Sequence, residues 1–270
     1  MRATGSFVLG AALALATAAL PLPADAAGPS FSLAPIRFDI EATPGEPYTD
    51  ALEVHNTARE TARIKVYTED WRLERDGAIT FLKRGTGPRS ASPWIRVNPS
   101  EFDLPPLSVA DVRFTVTVPR GAPAGGYRAA IVVEQVPRPT PGEEPRRAVA
   151  IRARIASVVY VRVGAREPAA ELAGVTYARL ANGVRALVLA VRNTGDVHFR
   201  TNGKVRLADP ATGRRVHTIP IPDAPVLPRS ERDLLVHLPE DARPGTYAVR
   251  AELDVGGADL YVHEGQVRVD

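Results

Sequence analysis

Apolar and polar residues alternate with a period of two along most of this chain. The alternation recurs in short runs at residues 52–54, 64–66, 112–118, 127–133, 187–191, 234–238, 247–253 and 267–269. Such runs are typical of half-buried strands, and no segment keeps a helical period over three turns. The 25 prolines and 21 glycines separate the runs, as turns between short strands require. The pattern therefore predicts an all-β chain, most simply a β-sandwich.

The sequence also repeats itself. PRGAPAGGYRAAIVVE at residues 119–134 corresponds to PEDARPGTYAVRAELD at residues 239–254, and VHNT at 54–57 corresponds to VRNT at 191–194. Two features that recur in the same order indicate two copies of one domain. Each tyrosine is expected to send its hydroxyl back to the preceding corner, and each Asn-Thr pair to close a turn by side-chain-to-backbone bonds. We place the boundary near Arg166, with domains at 27–165 and 166–270.

The N-terminus has the features of a secretory signal peptide. Arg2 begins a basic segment, residues 7–20 are apolar, and Ala24-Asp25-Ala26 fits the small-x-small cleavage pattern. Residues 1–26 are therefore predicted to be removed near Ala26, which makes the chain an exported protein. An uncleaved N-terminal anchor is the alternative.

The composition of the chain and the motifs in it exclude or disfavour most catalytic and metal-binding functions. The chain has no cysteine, so disulfides, thiolate catalysis and cysteine metal sites are excluded, and its net charge of +3 is too weak to indicate nucleic acid. The five histidines lie far apart, and no phosphate-binding loop or nucleophile elbow is present. Asp70 suits a surface or cap role, and Trp71 and Trp94 suit the core better than a sugar site. We expect no enzyme, no metal and no cofactor.

Two segments of the first domain are unusual. RRAVAIRARIASVVYVRV at residues 146–163 is nearly three times the ordinary length of a strand, and it follows a proline-rich, charged loop at residues 137–147 that is expected to be poorly ordered. In FSLAPIRFDIEA at residues 31–42 the apolar positions change phase at Ala34-Pro35. That change indicates a bulge or a crossing between sheets, and it is expected to bring the first strand beside the long one.

These features together resemble the PapD-like periplasmic pilus chaperones: two tandem immunoglobulin-like β-sandwich domains behind a signal peptide, a switched first strand, a loop and a long alternating strand. The resemblance implies a non-catalytic chaperone that lends apolar side chains of the long strand to a β-rich pilin-like or surface subunit. The donated side chains implied by the resemblance are those of Val149, Ile151, Ala153 and Ile155. It also implies a periplasmic location, an outer-membrane assembly platform as a further partner, and a monomer or weak homodimer.

The family anchors the subunit's C-terminal carboxylate with an arginine of the first strand and a lysine of the last. Arg37 matches the arginine. No lysine stands in the last strand, which reads Ile-Ala-Ser-Val at residues 155–158, so Arg154 and Arg162 are the remaining candidates.

A second resemblance gives an alternative. The order Asn-Thr, Trp, proline-rich turn and Gly-Gly-Tyr is similar to envelope proteins of Gram-positive bacteria that bind peptidoglycan. By this alternative the chain is a structural or adhesive envelope module that binds peptidoglycan or another glycan.

Overall fold

The computed structural model describes residues 31–136 and 153–270, and almost all of its regular structure is β-strand. In the first half the strands are β1 Phe31–Ala34, β2 Arg37–Ala42, β3 Pro47–Asn56, β4 Ala62–Leu73, β5 Ile79–Leu82, β6 Ile95–Asn98, β7 Glu101–Leu104, β8 Val109–Thr117, β9 Gly125–Val136 and β10 Arg154–Val163. In the second half they are β11 Ala170–Arg179, β12 Arg185–Asn193, β13 Phe199–Arg200, β14 Asn202–Ala208, β15 Arg215–Pro220, β16 Pro225–Val226, β17 Glu231–His237, β18 Gly245–Asp254 and β19 Leu260–Val269. A single turn of 3-10 helix, Ser92–Trp94, precedes β6.

The first ten strands form two sheets packed face to face. One sheet has the order β1-β3-β8-β6, and the other has the order β2-β10-β9-β4-β5 with β7 also paired to β4. Alternating side chains of both sheets point inward and form one buried core, which includes Phe31, Phe38, Leu52, Phe114 and Ile131. The period-two pattern of the sequence is thus the inner face of a sandwich.

The remaining strands form a second sandwich with its own core. Its sheets have the orders β11-β12-β17, β13-β16 and β15-β14-β18-β19, and its buried side chains include Leu187, Leu189, Leu207, Leu234 and Leu253. Among the described residues no sheet contains strands from both sides of the segment between Val163 and Ala170. The predicted all-β fold of two immunoglobulin-like sandwiches is confirmed, while the boundary at Arg166 stays a prediction.

Both repeated motifs have the structural role expected of them. The Tyr127 hydroxyl donates to the carbonyl of Pro123 at 2.8 Å, and the Tyr247 hydroxyl donates to the carbonyl of Arg243 at 2.6 Å. Both rings are buried at the start of their strands. The predicted tyrosine corners are confirmed in both copies.

The asparagines of the two Asn-Thr pairs also occupy equivalent places. The Asn56 amide donates to the carbonyl of Glu60 at 2.8 Å, and the Asn193 amide donates to the carbonyl of Val197 at 2.8 Å. Each side chain is buried and holds the loop that follows it. The predicted turn closure is confirmed, and the asparagine of each pair provides it.

The phase change at Ala34-Pro35 is a crossing between sheets. Before it, β1 pairs antiparallel with β3 in one sheet, and after it, β2 pairs parallel with β10 in the other. The first strand therefore contributes to both sheets and lies beside the long strand, as the sequence predicts. Within residues 31–136 and 153–270, no helix has the length and apolar character to cross a membrane.

Candidate functional site

Strand β10 has an open edge at its beginning. It pairs with β9 over its whole length, from Arg154 to Val163, but its pairing with β2 starts only at Val158. Residues 154–157 therefore have β9 on one side and no strand of the described residues on the other. The gap exists because the chain before Pro35 lies in the opposite sheet.

The backbone groups at this edge are oriented for pairing. The Val158 amide donates to the carbonyl of Ile36 on the β2 side, while the Ala153 carbonyl accepts from Gln135 on the β9 side. Because backbone groups alternate in direction along a strand, the amides and carbonyls of Arg154 and Ala156 face the same side as those of Val158. These backbone groups lie before the first residue of β2, Arg37, so no strand of the described residues pairs with them on that side. A further extended segment could pair with them there.

The inner face of β10 at this edge carries the partly covered apolar residues Ala153 and Ile155 and the buried Ser157, whose hydroxyl donates to the carbonyl of Pro35 at 2.9 Å. Val159 and Val161 are fully buried in the first core, whereas Ile155 and Ala153 on the same face are half-buried against it. The inner face of β10, which is apolar except for Ser157, thus runs from the core to the rim of the sandwich. The other two residues predicted to donate their side chains to the subunit, Val149 and Ile151, lie outside the described residues.

A cleft of 480 Å³ lies between the two sandwiches, next to the start of β2. Its lining is mostly apolar and comprises Pro35, Ile36, Trp71, Leu73, Ile79, Val158, Tyr160 and Pro225. Ile36 is 70% exposed and Ile79 is 53% exposed, which is unusual for large aliphatic side chains. Arg37 and Arg200 are the charged residues of the lining. The cleft therefore suits an anionic group attached to an apolar one.

The three arginines predicted from the sequence are not brought together. Arg37 lies opposite Val158, and Arg154 and Arg162 are each four residues away from Val158 along β10, which is roughly 13 Å in either direction. Of the three, Arg37 alone lines the cleft.

The partners of the other two arginines differ. Arg154 is 2.6 Å from the Glu69 carboxylate, and its guanidinium lies over the ring of Tyr67. Arg162 is 3.8 Å from Glu41, and it lines two other pockets at the far end of β2. Neither side chain is adjacent to Arg37.

Arg200, from the second sandwich, was missed by the sequence reasoning. Its Nε donates to Asp223 at 2.6 Å, and this hydrogen bond holds the pKa of Asp223 below its usual range. Burial raises the pKa of Tyr160 to about 12 although the positive charges of Arg200 and Arg37 oppose the rise. Two guanidinium groups from different sandwiches therefore act on the same cleft. No motif in the sequence singles out Arg200.

The two sandwiches are joined on both sides of the cleft. The Gly126 amide donates to the carbonyl of Asp196 at 2.7 Å. On the other side, Arg75 in the β4–β5 turn lies 2.9 Å from the Asp233 carboxylate, and the Asp233 amide donates to the Arg75 carbonyl at 2.9 Å. Between these contacts, Leu227 packs in a buried cluster that includes Trp71. The cleft is thus a defined space between two docked domains.

The described residues offer little to other kinds of site. Trp71 is buried, with its indole N–H donating to the Ala129 carbonyl, and Trp94 packs against the ring of Tyr127. Asp70 is buried and accepts a hydrogen bond from Ser90, so it holds a loop. Within residues 31–136 and 153–270, no three histidine or carboxylate side chains are grouped to hold a metal ion.

No protein-family model and no curated protein sequence matches the chain. Solved structures similar to it include fimbrial chaperones. The class 5 fimbriae chaperone CfaA is 14% identical, with 87% of this chain and 98% of that chain covered and a TM-score of 0.48. The CsuC–CsuE chaperone–tip adhesion subunit complex of Acinetobacter baumannii is 14% identical, with coverage of 88% and 97% and a TM-score of 0.47. The E. coli chaperone DraB is 16% identical, with coverage of 89% and 96% and a TM-score of 0.43.

Proposed function

We propose that this chain is a non-catalytic periplasmic chaperone that binds a β-rich pilus or surface subunit by strand donation. The observation that carries the proposal is the open edge of β10 at residues 154–157, next to the half-buried Ile155. An extended segment of the subunit would pair with the backbone of Arg154 and Ala156. A subunit of the kind bound in the CsuC–CsuE complex is the proposed partner.

The side chains proposed to enter the subunit are Val149, Ile151, Ala153 and Ile155. Each large aliphatic side chain would contribute about 1.5–3 kcal/mol when it becomes fully buried. The cost of ordering the two partners reduces this sum. The three larger side chains, Val149, Ile151 and Ile155, would together still provide enough free energy to hold a subunit during delivery, and the small Ala153 would add less.

The subunit's C-terminal carboxylate is proposed to bind in the cleft between the sandwiches. Arg37 is the primary anchor because it lines the cleft beside the β10 edge. Arg200 faces the same space from the second sandwich and takes the place of the absent lysine. A guanidinium binds a carboxylate through two parallel hydrogen bonds, which gives the anchor a defined geometry. Arg154 and Arg162, which lie along β10 on either side of Val158, remain secondary candidates for binding the carboxylate.

The proposed location and assembly follow from the same role. Cleavage near Ala26 would release the mature chain into the periplasm, where it would deliver its subunit to an outer-membrane assembly platform. A monomer or a weak homodimer is compatible with this role, because the edge of β10 must be accessible when the subunit binds.

The test is recovery of a bound subunit from the native envelope by co-purification and mass spectrometry. Replacing both Ile151 and Ile155 by Asp places charges on the face proposed to be buried, so we expect recovery of the subunit to fall at least tenfold. Tyr261→Asp is the matched control, because Tyr261 occupies in β19 the position that Ile155 occupies in β10. Recovery that is unchanged in the double variant would contradict strand donation.

The alternative role, an envelope module that binds peptidoglycan or glycan, gains no specific support from the described residues. The two tryptophans considered for a sugar site do not support it, because Trp71 is buried and Trp94 is packed against Tyr127. Binding of the purified chain to cell-wall sacculi, without any bound subunit, would favour this role over the chaperone.

A further inference from the structure

The cleft between the sandwiches has an apolar lining that a bound carboxylate alone would leave uncovered. Its floor belongs to a buried cluster that includes Trp71 and Tyr160 of the first sandwich and Leu227 of the second. Leu73 and Val158 pack against this cluster and are only partly buried. Apart from its two arginines, the lining is therefore a mostly apolar surface that is partly open to solvent.

Two exposed isoleucines extend this apolar surface. Ile36 lies just before β2 and Ile79 is the first residue of β5, and both side chains line the cleft. The strands β2 and β5 are the two edges of one sheet, so the apolar lining crosses the outer face of that sheet. Large aliphatic side chains with this exposure lose contact with water when an apolar group covers them, which favours binding of such a group.

The open edge of β10 leads directly to the cleft. The Val158 amide donates to the Ile36 carbonyl, so the place beside β10 is taken by the chain's own backbone from Ile36 onward. An extended segment bound beside residues 154–157 must therefore end, or turn away, at Ile36. Because Ile36, Arg37 and Val158 all line the cleft, the last residue of such a segment lies at its mouth. The edge and the cleft form one continuous surface.

The charges of the lining limit what that last residue can carry. Arg37 and Arg200 are each held through Nε by an aspartate, Asp39 at 2.8 Å and Asp223 at 2.6 Å, and neither aspartate lines the cleft. None of the described lining residues is acidic. A terminal carboxylate would have two guanidinium groups to bind, whereas a cationic side chain would be repelled by them and would find no counter-ion in the lining.

We infer that the cleft binds the side chain of the subunit's C-terminal residue and selects a large apolar side chain over a small or cationic one. The carboxylate of that residue binds at Arg37 and Arg200, and its side chain covers apolar lining that includes Ile36 and Ile79. Burial of apolar surface on both partners is the source of the preference. Ile36 and Ile79 are thereby specificity-determining residues. This inference rests on the carboxylate anchor of the proposed function and names the class of C-terminus that the anchor accepts.

The experiment measures binding of short fluorescein-labelled peptides to the purified full chain by fluorescence anisotropy. The peptides share the segment Thr-Val-Thr-Val, whose alternation suits pairing with an open strand edge, and they end in Phe, Leu, Gly or Lys. Each peptide is made with a free carboxylate and with an amide. We expect the Phe and Leu carboxylates to bind about tenfold more tightly than the Gly carboxylate, the lower end of what burial of one large apolar side chain provides. The Lys carboxylate should bind no more tightly than the Gly carboxylate.

A double variant tests the two isoleucines. Ile36→Ala combined with Ile79→Ala shortens both exposed side chains, so the preference for Phe over Gly should fall to about twofold or less, because less apolar surface is buried. Leu260→Ala combined with Val262→Ala is the matched control, since these aliphatic residues of β19 are also exposed and do not line the cleft. The control should keep the full preference.

The outcomes separate this inference from the proposed function. Equal affinity of the Phe and Gly carboxylates, or an unchanged preference in the double variant, would overturn the inference and leave the anchor intact. Equal affinity of carboxylates and amides, or no binding of any peptide to a monomeric chain, would overturn both. A chain that sediments as a dimer and binds no peptide would assign the apolar lining to a second copy, and the inference would be wrong.

Discussion

Strands β10 and β19 hold the same place in the two sandwiches, and they end in the same three residues, Val-Arg-Val. Each pairs antiparallel with the strand that carries the corner tyrosine. The register is also the same, with Val163 opposite Gly125 and Val269 opposite Gly245. The two strands nevertheless differ in what covers them.

The difference comes from the first strand of each sandwich. In the second sandwich β11 stays paired with β12 along its whole length, whereas in the first sandwich the chain crosses from β3 to β10 at Pro35. The outer faces differ as well: Tyr160 of β10 is buried against Trp71 and against Leu227 of the second sandwich, while Gln266, its counterpart in β19, is exposed. The crossing covers the end of β10 and leaves its beginning open. The open edge of β10 is therefore limited to its first residues, whereas β19 lies at the edge of its sheet and has no strand beyond it among the described residues.

A second difference between the copies lies at the corner tyrosines. Gly126 precedes Tyr127, and Thr246 precedes Tyr247. A Cβ on Gly126 would lie 3.1 Å from the Cα of Val197, which is tighter than a normal contact with backbone. The glycine is therefore explained by the close approach of the second sandwich, and Thr246 has no such neighbour to avoid.

Gly126→Thr, which gives the first copy the residue of the second, should have the largest effect on stability. The added side chain overpacks the contact with Val197, and we expect a loss of about 1–3 kcal/mol in the free energy of unfolding. Urea unfolding measures the loss, and small-angle scattering should show the two sandwiches moving apart. The reverse change, Thr246→Gly, should leave the scattering unchanged. Equal scattering curves for both variants would show that Gly126 has no role in docking.

Removing the corner hydroxyls should have a smaller effect that is equal in the two copies. Tyr127→Phe and Tyr247→Phe each delete one hydrogen bond to a backbone carbonyl, at 2.8 Å and 2.6 Å. We expect each variant to lose about 1 kcal/mol in urea unfolding. A difference of more than about twofold between them would mean that the two corners are not energetically equivalent.

Local patterns in the sequence were sufficient to predict the sandwiches and the corners, and they reduced the phase change at Pro35 to two alternatives. Alternation marks the inner face of each strand, and a change of phase requires either a bulge or a crossing between sheets, of which the structure shows the crossing. The partner of Arg37 was not predictable, because parallel strands are not joined by a tight turn that fixes their register. Arg200 was missed for a related reason, since its place in the cleft depends on how the two sandwiches dock, which no periodicity encodes.

The proposed function requires that the open edge of β10 receives an extended segment of another protein. A photo-crosslinking residue placed at Ile155, with the same residue at Tyr261 for comparison, tests it in the native host. We expect a crosslink from position 155 to a strand of a β-rich exported subunit, identified by mass spectrometry, and none to that subunit from position 261. No crosslink from position 155, or the same crosslink from both positions, would contradict it.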